Sequence, residues 1–293
     1  MEFSQWQQTG KYFSYKDQHQ IFYQETAPTG EVLLFLHGFP TASWDWHKIW
    51  QALAKKYRLI AADFIGFGYS DKPKRYEYSI HDQADVIEAL AVHLGLQKVH
   101  ILAHDYGDTV LQELLARDID RRNAGIATGL QLQSIALLNG GLFPETHIAR
   151  PIQKALLSPL GFILTGFLGR KTLRKTFHQI FGKDTPPSEQ EVDEFYSLMN
   201  YNKGQRIFHK LIHYMTNRIQ HRERWVAALQ NSPAPIRLID GAADPISGEH
   251  MTKRYAELVD NPDIVLLKGI GHYPQTEAPE RVLAAYLEFR QRI

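Results

Sequence analysis

"KVHILAHDYGDTVLQELLAR", residues 98–117, joins an apolar run to a stretch with helical spacing. The run "VHILA" has no polar alternation, as expected of a strand covered on both faces. "TVLQELLAR" repeats its apolar residues at the spacing of a helix face. Between them stand His104, Asp105, Tyr106 and Gly107. A strand that turns sharply into a helix presents its turn residue at the carboxyl edge of a sheet, where reactive groups collect in open α/β folds. The stretch therefore predicts a strand–turn–helix unit with Asp105 at the turn.

The same alternation recurs along the chain. Apolar runs at 21–25, 31–38, 57–64, 132–141, 235–245 and 263–274 read as strands. Residues 79–96 and 278–293 read as helices, the first with Ser79 as N-cap and Gly95 near its end. Strands alternating with helices imply an α/β fold: a mostly parallel sheet with helices on both faces. From 142 to 225 the strand series is interrupted by a segment rich in helix formers, aromatics and charges. It reads as a helical cap inserted into one core built from residues 1–141 and 226–293. "DFIGFGYSDKP", 63–73, reads as architecture, with Asp63 and Ser70 satisfying backbone groups in a tight loop. "ALLSPLGFILTGFLG", 155–169, is the most apolar window, but Pro159, Gly161 and Gly166 break it. At under roughly 20 apolar residues it is too short to span a bilayer, and it is expected to pack inside the protein or over a pocket, with an interfacial membrane contact as the second reading.

Composition narrows the function classes. The 293 residues carry 33 basic and 32 acidic side chains, so no basic surface points to nucleic acid. With no cysteine there is no disulfide framework, thiolate nucleophile or cysteine metal site, and a cytoplasmic location is expected. The polar N-terminus lacks the apolar core of a signal peptide. His178, His209, His213 and His221 lack metal-ligand spacing with carboxylates, so neither metal nor cofactor is expected.

Three residues fall at strand ends: Asp105 after "VHILA", Asp244 after "IRLID" and His272 after "IVLLK". Singly, each has an ordinary reading as a cap, a turn or a structural Gly-His. Together they follow the chain order nucleophile, acid, histidine of an α/β-hydrolase triad. "LHGFP", 36–40, follows an earlier strand, which assigns the oxyanion hole to the amides of Phe39 and Tyr106 and places their side chains on the pocket floor. His37 and His104 flank the site in supporting roles.

These residues resemble an established group. Aspartate in the elbow together with His-Gly-x-Pro is similar to the epoxide hydrolases and haloalkane dehalogenases, across nearly the whole chain. "LHGFPTASWDW", "DFIGFGYSDKP", "AHDYGD", "NGGLFPETH" and "RERWVAAL" further resemble an epoxide-hydrolase-like subgroup. The resemblance implies that Asp105 attacks a saturated carbon to form an alkyl ester, which water activated by His272 and Asp244 then hydrolyses. The choice of acid agrees with this chemistry, because a serine alkylated at such a carbon would become an ether that activated water cannot cleave, whereas an aspartyl ester can be hydrolysed. In the group a halide is held by a Trp after the nucleophile and often an Asn in the His-Gly loop; Tyr106 and Phe39 stand there instead. Epoxide opening in the group uses two cap tyrosines, for which Tyr214 matches the second, while Tyr196 and Tyr201 are poorly placed candidates for the first. His37, His104, Trp44, Asn139 and Tyr196 are assigned to binding an apolar small-molecule substrate. Epoxide hydrolysis ranks first. A dehalogenase, or an enzyme for an unusual ester or lactone, ranks second, and a non-catalytic small-molecule binding or regulatory protein third.

Overall fold

A computed structural model describes residues 1–293, apart from the side chain of Phe167. Its sheet has eight strands: β1 (Lys11–Tyr15), β2 (His19–Glu25), β3 (Glu31–Leu36), β4 (Tyr57–Ala62), β5 (Lys98–His104), β6 (Gln131–Leu138), β7 (Ile236–Gly241) and β8 (Asp263–Leu267). They lie in the order β1-β2-β4-β3-β5-β6-β7-β8. β1 and β2 are antiparallel to each other, and β2 to β4. All pairs from β4 to β8 are parallel. The chain reverses its direction of travel at β3, with β4 on one side and β5 on the other. Ligands bind at such a switch point in open α/β sheets. Leu36 of β3 pairs with Ala103 of β5, so the loops that follow these strands emerge side by side.

β3 and β5 are buried without alternation, as strands covered on both faces must be. The helix expected at 79–96 spans Ile80–His93, with Ser79 Oγ accepting the Asp82 N–H at 3.1 Å. In the 63–73 loop Asp63 accepts the backbone N–H groups of Ser43 and Tyr69, both at 2.7 Å. Ser70 Oγ donates to the Asp63 carbonyl at 2.6 Å.

Two N-terminal elements exceed the sequence reading. The helix Phe3–Thr9 buries only Trp6, whose ring lies 4.9 Å from Trp50 and 5.4 Å from Trp44. β1, "KYFSY", buries Phe13 and Tyr15 and leaves the rest to solvent, as an edge strand does.

Between β6 and β7 the chain forms helices and no strand among the described residues. The apolar window 155–169 divides there. Leu156 and Leu168 are buried, whereas Leu160, Phe162 and Ile163 are exposed at 60%, 60% and 51%. The expected inward packing therefore holds for only part of that window. No helix among the described residues is long and apolar enough to cross a membrane.

Candidate active site

Asp105 occupies the turn between β5 and the helix Tyr106–Asn123. Its backbone has φ 47° and ψ −102°, a left-handed conformation that costs a non-glycine residue on the order of 1–3 kcal/mol. The surrounding packing holds that strain. Gly107 sits so close to β3 that a Cβ there would lie 2.2 Å from the Leu36 carbonyl oxygen. Only glycine allows this approach. Asp105 is buried, and its Oδ2 accepts the Phe39 N–H at 3.1 Å. The Tyr106 amide opens the following helix and belongs to the first-turn N–H groups that have no intrahelical partner.

His272 follows β8, and its Nδ1–H donates to Asp244 Oδ2 at 2.7 Å. This leaves Nε2 as the ring atom able to exchange a proton. Asp244, after β7, also accepts from Ile246 N (2.7 Å), Ser247 N (3.1 Å), Ser247 Oγ (2.9 Å) and Asn139 Nδ2 (3.0 Å). Burial works against its charge, but His272 and these donors hold its carboxyl below the ordinary range. Burial likewise disfavours a charged imidazole at 272, yet Asp244 first and Asp105 after it raise that pKa to about 9. For Asp105 burial pushes upward, and His272, Arg218, His104 and the Phe39 N–H together hold it below the ordinary carboxylate value.

Asp105, His272 and Phe39 share one pocket. Its walls are apolar, among them Leu156, Leu173, Phe177 and Ile246. The inserted segment supplies most of these wall residues.

The α/β-hydrolase fold family matches residues 31–279. The chain is an α/β hydrolase. The mesoderm-specific transcript protein of Mus musculus is 40% identical over 97% of this chain and 86% of its own length. A putative hydrolase, LipZ, of Mycobacterium tuberculosis is 37% identical over 92% of this chain and 91% of its own. An α/β-hydrolase fold protein from Burkholderia ambifaria superposes with a TM-score of 0.78 at 24% identity, over 95% of this chain and 97% of that one.

Several predicted site residues take other positions in this α/β hydrolase. Phe39 lines the pocket, but Tyr106 does not: its ring packs against Phe64, Phe67 and Tyr214 at 5.1–5.5 Å. His37 spends both nitrogens on the scaffold, with Nδ1–H donating to the Gly38 carbonyl and Nε2 accepting from Phe64 N. His104 Nε2–H donates to the His272 carbonyl at 2.7 Å and so positions that loop. Asn139 braces Asp244 and accepts the Gly241 N–H at 2.7 Å. Trp44 donates to Glu194 at 2.9 Å and stacks on His47, and neither it nor half-buried Tyr196 lines the pocket. Tyr214 is likewise outside the pocket lining, buried behind Phe39 and beside Tyr106, with its phenol toward Arg218 and the lining residue Gln153. Burial, then Asp105, pushes that phenol up, so it stays protonated.

Sequence reading missed Arg218, whose Nη2 lies 3.5 Å from Asp105 Oδ1. Its available signal was the i, i+4 spacing from Tyr214, which places both on one helix face. It also missed Glu277, which accepts the backbone N–H groups on either side of His272, from Gly271 at 2.8 Å and Tyr273 at 2.9 Å. Among the described residues no group of three or more His, Asp or Glu side chains is placed to hold a metal ion.

Proposed function

We propose that this α/β hydrolase is a cofactor-free epoxide hydrolase acting through a covalent ester on Asp105, with residues 142–225 as its cap. The observation that carries this reading is the aspartate in the strained turn, with Oδ2 on the Phe39 N–H and His272, held by Asp244, sharing its pocket. Asp105 Oδ1 forms a bond to an epoxide carbon as the carbon–oxygen bond of the ring breaks. The released oxygen takes a proton from the protonated phenol of Tyr214, which supplies general acid to a developing alkoxide. Alkylation removes the negative charge of Asp105. His272 thereby loses one of the three carboxylates, Asp244, Asp105 and Glu277, that raise its pKa and becomes a better base.

A water then gives its proton to His272 Nε2 and adds to the ester carbonyl. The oxyanion meets the Phe39 and Tyr106 amides, a role such donors fill best when fixed in advance. The carbonyl carbon–alkoxide bond breaks, the diol leaves with a proton from His272, and the proton left on the Asp105 carboxyl by the added water returns to the Tyr214 phenolate, which regenerates both groups. The apolar walls suit an apolar epoxide. Tyr106 stands where the dehalogenase resemblance expects a halide-binding Trp, which favours the epoxide over the halide.

The test is mass spectrometry of a His272→Ala variant given terminal epoxides and, separately, haloalkanes. Removal of the base should trap an epoxide adduct on the peptide that contains Asp105. An adduct from haloalkanes alone, or none from a broad epoxide panel, defeats the assignment.

A further inference from the structure

Arg218 projects from the helix Tyr214–Gln220 into the floor beneath the nucleophile and is 2% exposed. Its Nε donates to Thr109 Oγ1 at 2.7 Å and its Nη2 to the Asp105 carbonyl at 3.1 Å. The same Nη2 is 3.5 Å from Asp105 Oδ1, and the guanidinium lies 4.6 Å over the Tyr214 ring. Nη1 is buried without a hydrogen-bond partner among the described residues.

The Asn139-Gly140-Gly141 run explains how this charge fits. A Cβ on Gly141 would lie 2.2 Å from Arg218 Nη1, and one on Gly140 would lie 2.0 Å from Asp108 Oδ2. The two glycines leave room for a buried polar cluster behind the elbow. Burial and then Asp105 raise Asp108 well above the ordinary carboxyl range. Burial and then Arg218 lower His147 to about 4. His147 is therefore neutral near pH 7, the charged form of Asp108 is disfavoured, and Asp105 is the one carboxylate within 4 Å of the guanidinium among the described residues.

We propose that Arg218 is the fixed counter-ion of the nucleophile, and that it biases the two-step reaction toward hydrolysis of the ester. This rests on reading Asp105 as the nucleophile. In the first step Oδ1 forms the carbon–oxygen bond and the epoxide oxygen takes the broken bond's electron pair. The carboxylate charge disappears, and Arg218 is left buried with no counter-charge, an unfavourable state. The second step restores the charge. Water adds to the carboxyl carbon while His272 takes its proton, and negative charge returns to the Asp105 oxygens. The bond to the alkoxide then breaks, the diol leaves protonated by His272, the proton left on the Asp105 carboxyl returns to the Tyr214 phenolate, and the carboxylate is regenerated beside Arg218. A cation fixed at this distance disfavours forming the ester and favours losing it. Little ester should accumulate in the wild-type enzyme.

The experiment is rapid-quench single turnover with 1,2-epoxyoctane on wild type, Arg218→Met and Arg218→Lys. Arg218→Met should hydrolyse the ester about 10- to 100-fold more slowly, the loss expected from a neighbouring charge, and accumulate it with His272 intact. Arg218→Lys should recover toward wild type. If both steps slow equally and no ester accumulates, or if Lys behaves as Met does, the proposal is overturned.

A second readout needs no substrate: the titration of Asp105 followed by NMR of protein carrying carboxyl-labelled aspartate. The groups facing this carboxyl are His272, His104, Arg218, Asp108, Tyr214, Tyr273 and, behind Arg218, His147. Removing Arg218 alone should move the midpoint up by at least about one pH unit, and lysine should restore it. An unchanged midpoint refutes the pairing. If no ester forms even in His272→Ala, the covalent mechanism fails while this titration still decides the Arg218–Asp105 pair. Should Arg218→Met fail to fold, Gly141→Ala places a Cβ 2.2 Å from Nη1 and 2.8 Å from Cζ of Arg218 and should shift both readouts in the same direction by less; no shift there counts against the proposal.

Discussion

Asp105 and His272 carry opposite charges at rest, and the two steps of the proposed reaction need different halves of that pair. Attack needs Asp105 ionised, and its carboxyl is held below the ordinary value against burial by His272, Arg218 and His104. Ester hydrolysis needs His272 neutral, and its pKa stands at about 9 while Asp105 is ionised. A raised pKa means a protonated imidazole below it, so hydrolysis slows as pH falls. Once Asp105 is alkylated the midpoint of that limb drops below about 9, because one of the raising charges has gone. Ester should therefore accumulate in rapid-quench samples near about pH 5 and vanish near about pH 9, a direction set by which protonation state is the base. An ester fraction that is flat across that range contradicts His272 as the base. At this scale the sequence was informative wherever a residue ended a strand: Asp105, Asp244 and His272 each follow an apolar run that could be read directly. Arg218 was illegible because its role depends on a packing contact between the helix Tyr214–Gln220 and the elbow, 113 positions earlier in the chain. Asn139 and His37 were assigned to substrate, but their polar atoms are consumed by Asp244, Gly241, Gly38 and Phe64.

The β5–turn–helix element works because the helix presses against β3. Gly107 is the contact, and its missing Cβ would meet the Leu36 carbonyl, a backbone atom that cannot rotate away. Gly107→Ala should cost about 1–3 kcal/mol, the usual penalty for overpacking a rigid site. It should also lower activity more than stability alone explains, since the helix start that aims Asp105 and the Tyr106 amide must shift. Urea unfolding beside adduct formation in the His272→Ala background separates the two effects. Unchanged stability would mean that β3 and the helix can part at no cost. Elements of this kind were legible because buried parallel strands are written as unbroken apolar runs. The edge strand β1 and the helix Phe3–Thr9 were not. Each buries one or two residues, so neither repeats a pattern long enough to read. The window 155–169 misled in the other direction, for its apolar residues are shared between the pocket and the surface.

At the scale of the whole molecule, Glu277 ties the inserted helical segment to the loop that carries His272. Its Oε2 accepts the Gly182 N–H at 2.7 Å, the Thr185 hydroxyl at 2.6 Å and the Gly271 N–H at 2.8 Å. Its Oε1 accepts the Tyr273 N–H at 2.9 Å. The His272 N–H itself donates to the Ile180 carbonyl at 2.8 Å, so the base is strung between the sheet edge and the segment above it. Two further links join the same layers, Trp44 to Glu194 and Lys48 to Glu191. A carboxylate can accept all four Glu277 bonds, whereas a glutamine offers one oxygen and an amide that only donates. Glu277→Gln should therefore strand at least one buried N–H and cost about 1–3 kcal/mol. Because two of its bonds bracket His272, the larger effect should fall on ester hydrolysis and the smaller on attack by Asp105. Rapid quench would then show ester accumulating in Glu277→Gln at neutral pH, together with a lowered urea midpoint. Loss of stability with both chemical steps unchanged would show that the His272 loop holds its place without the segment above it, and would confine Glu277 to a structural role.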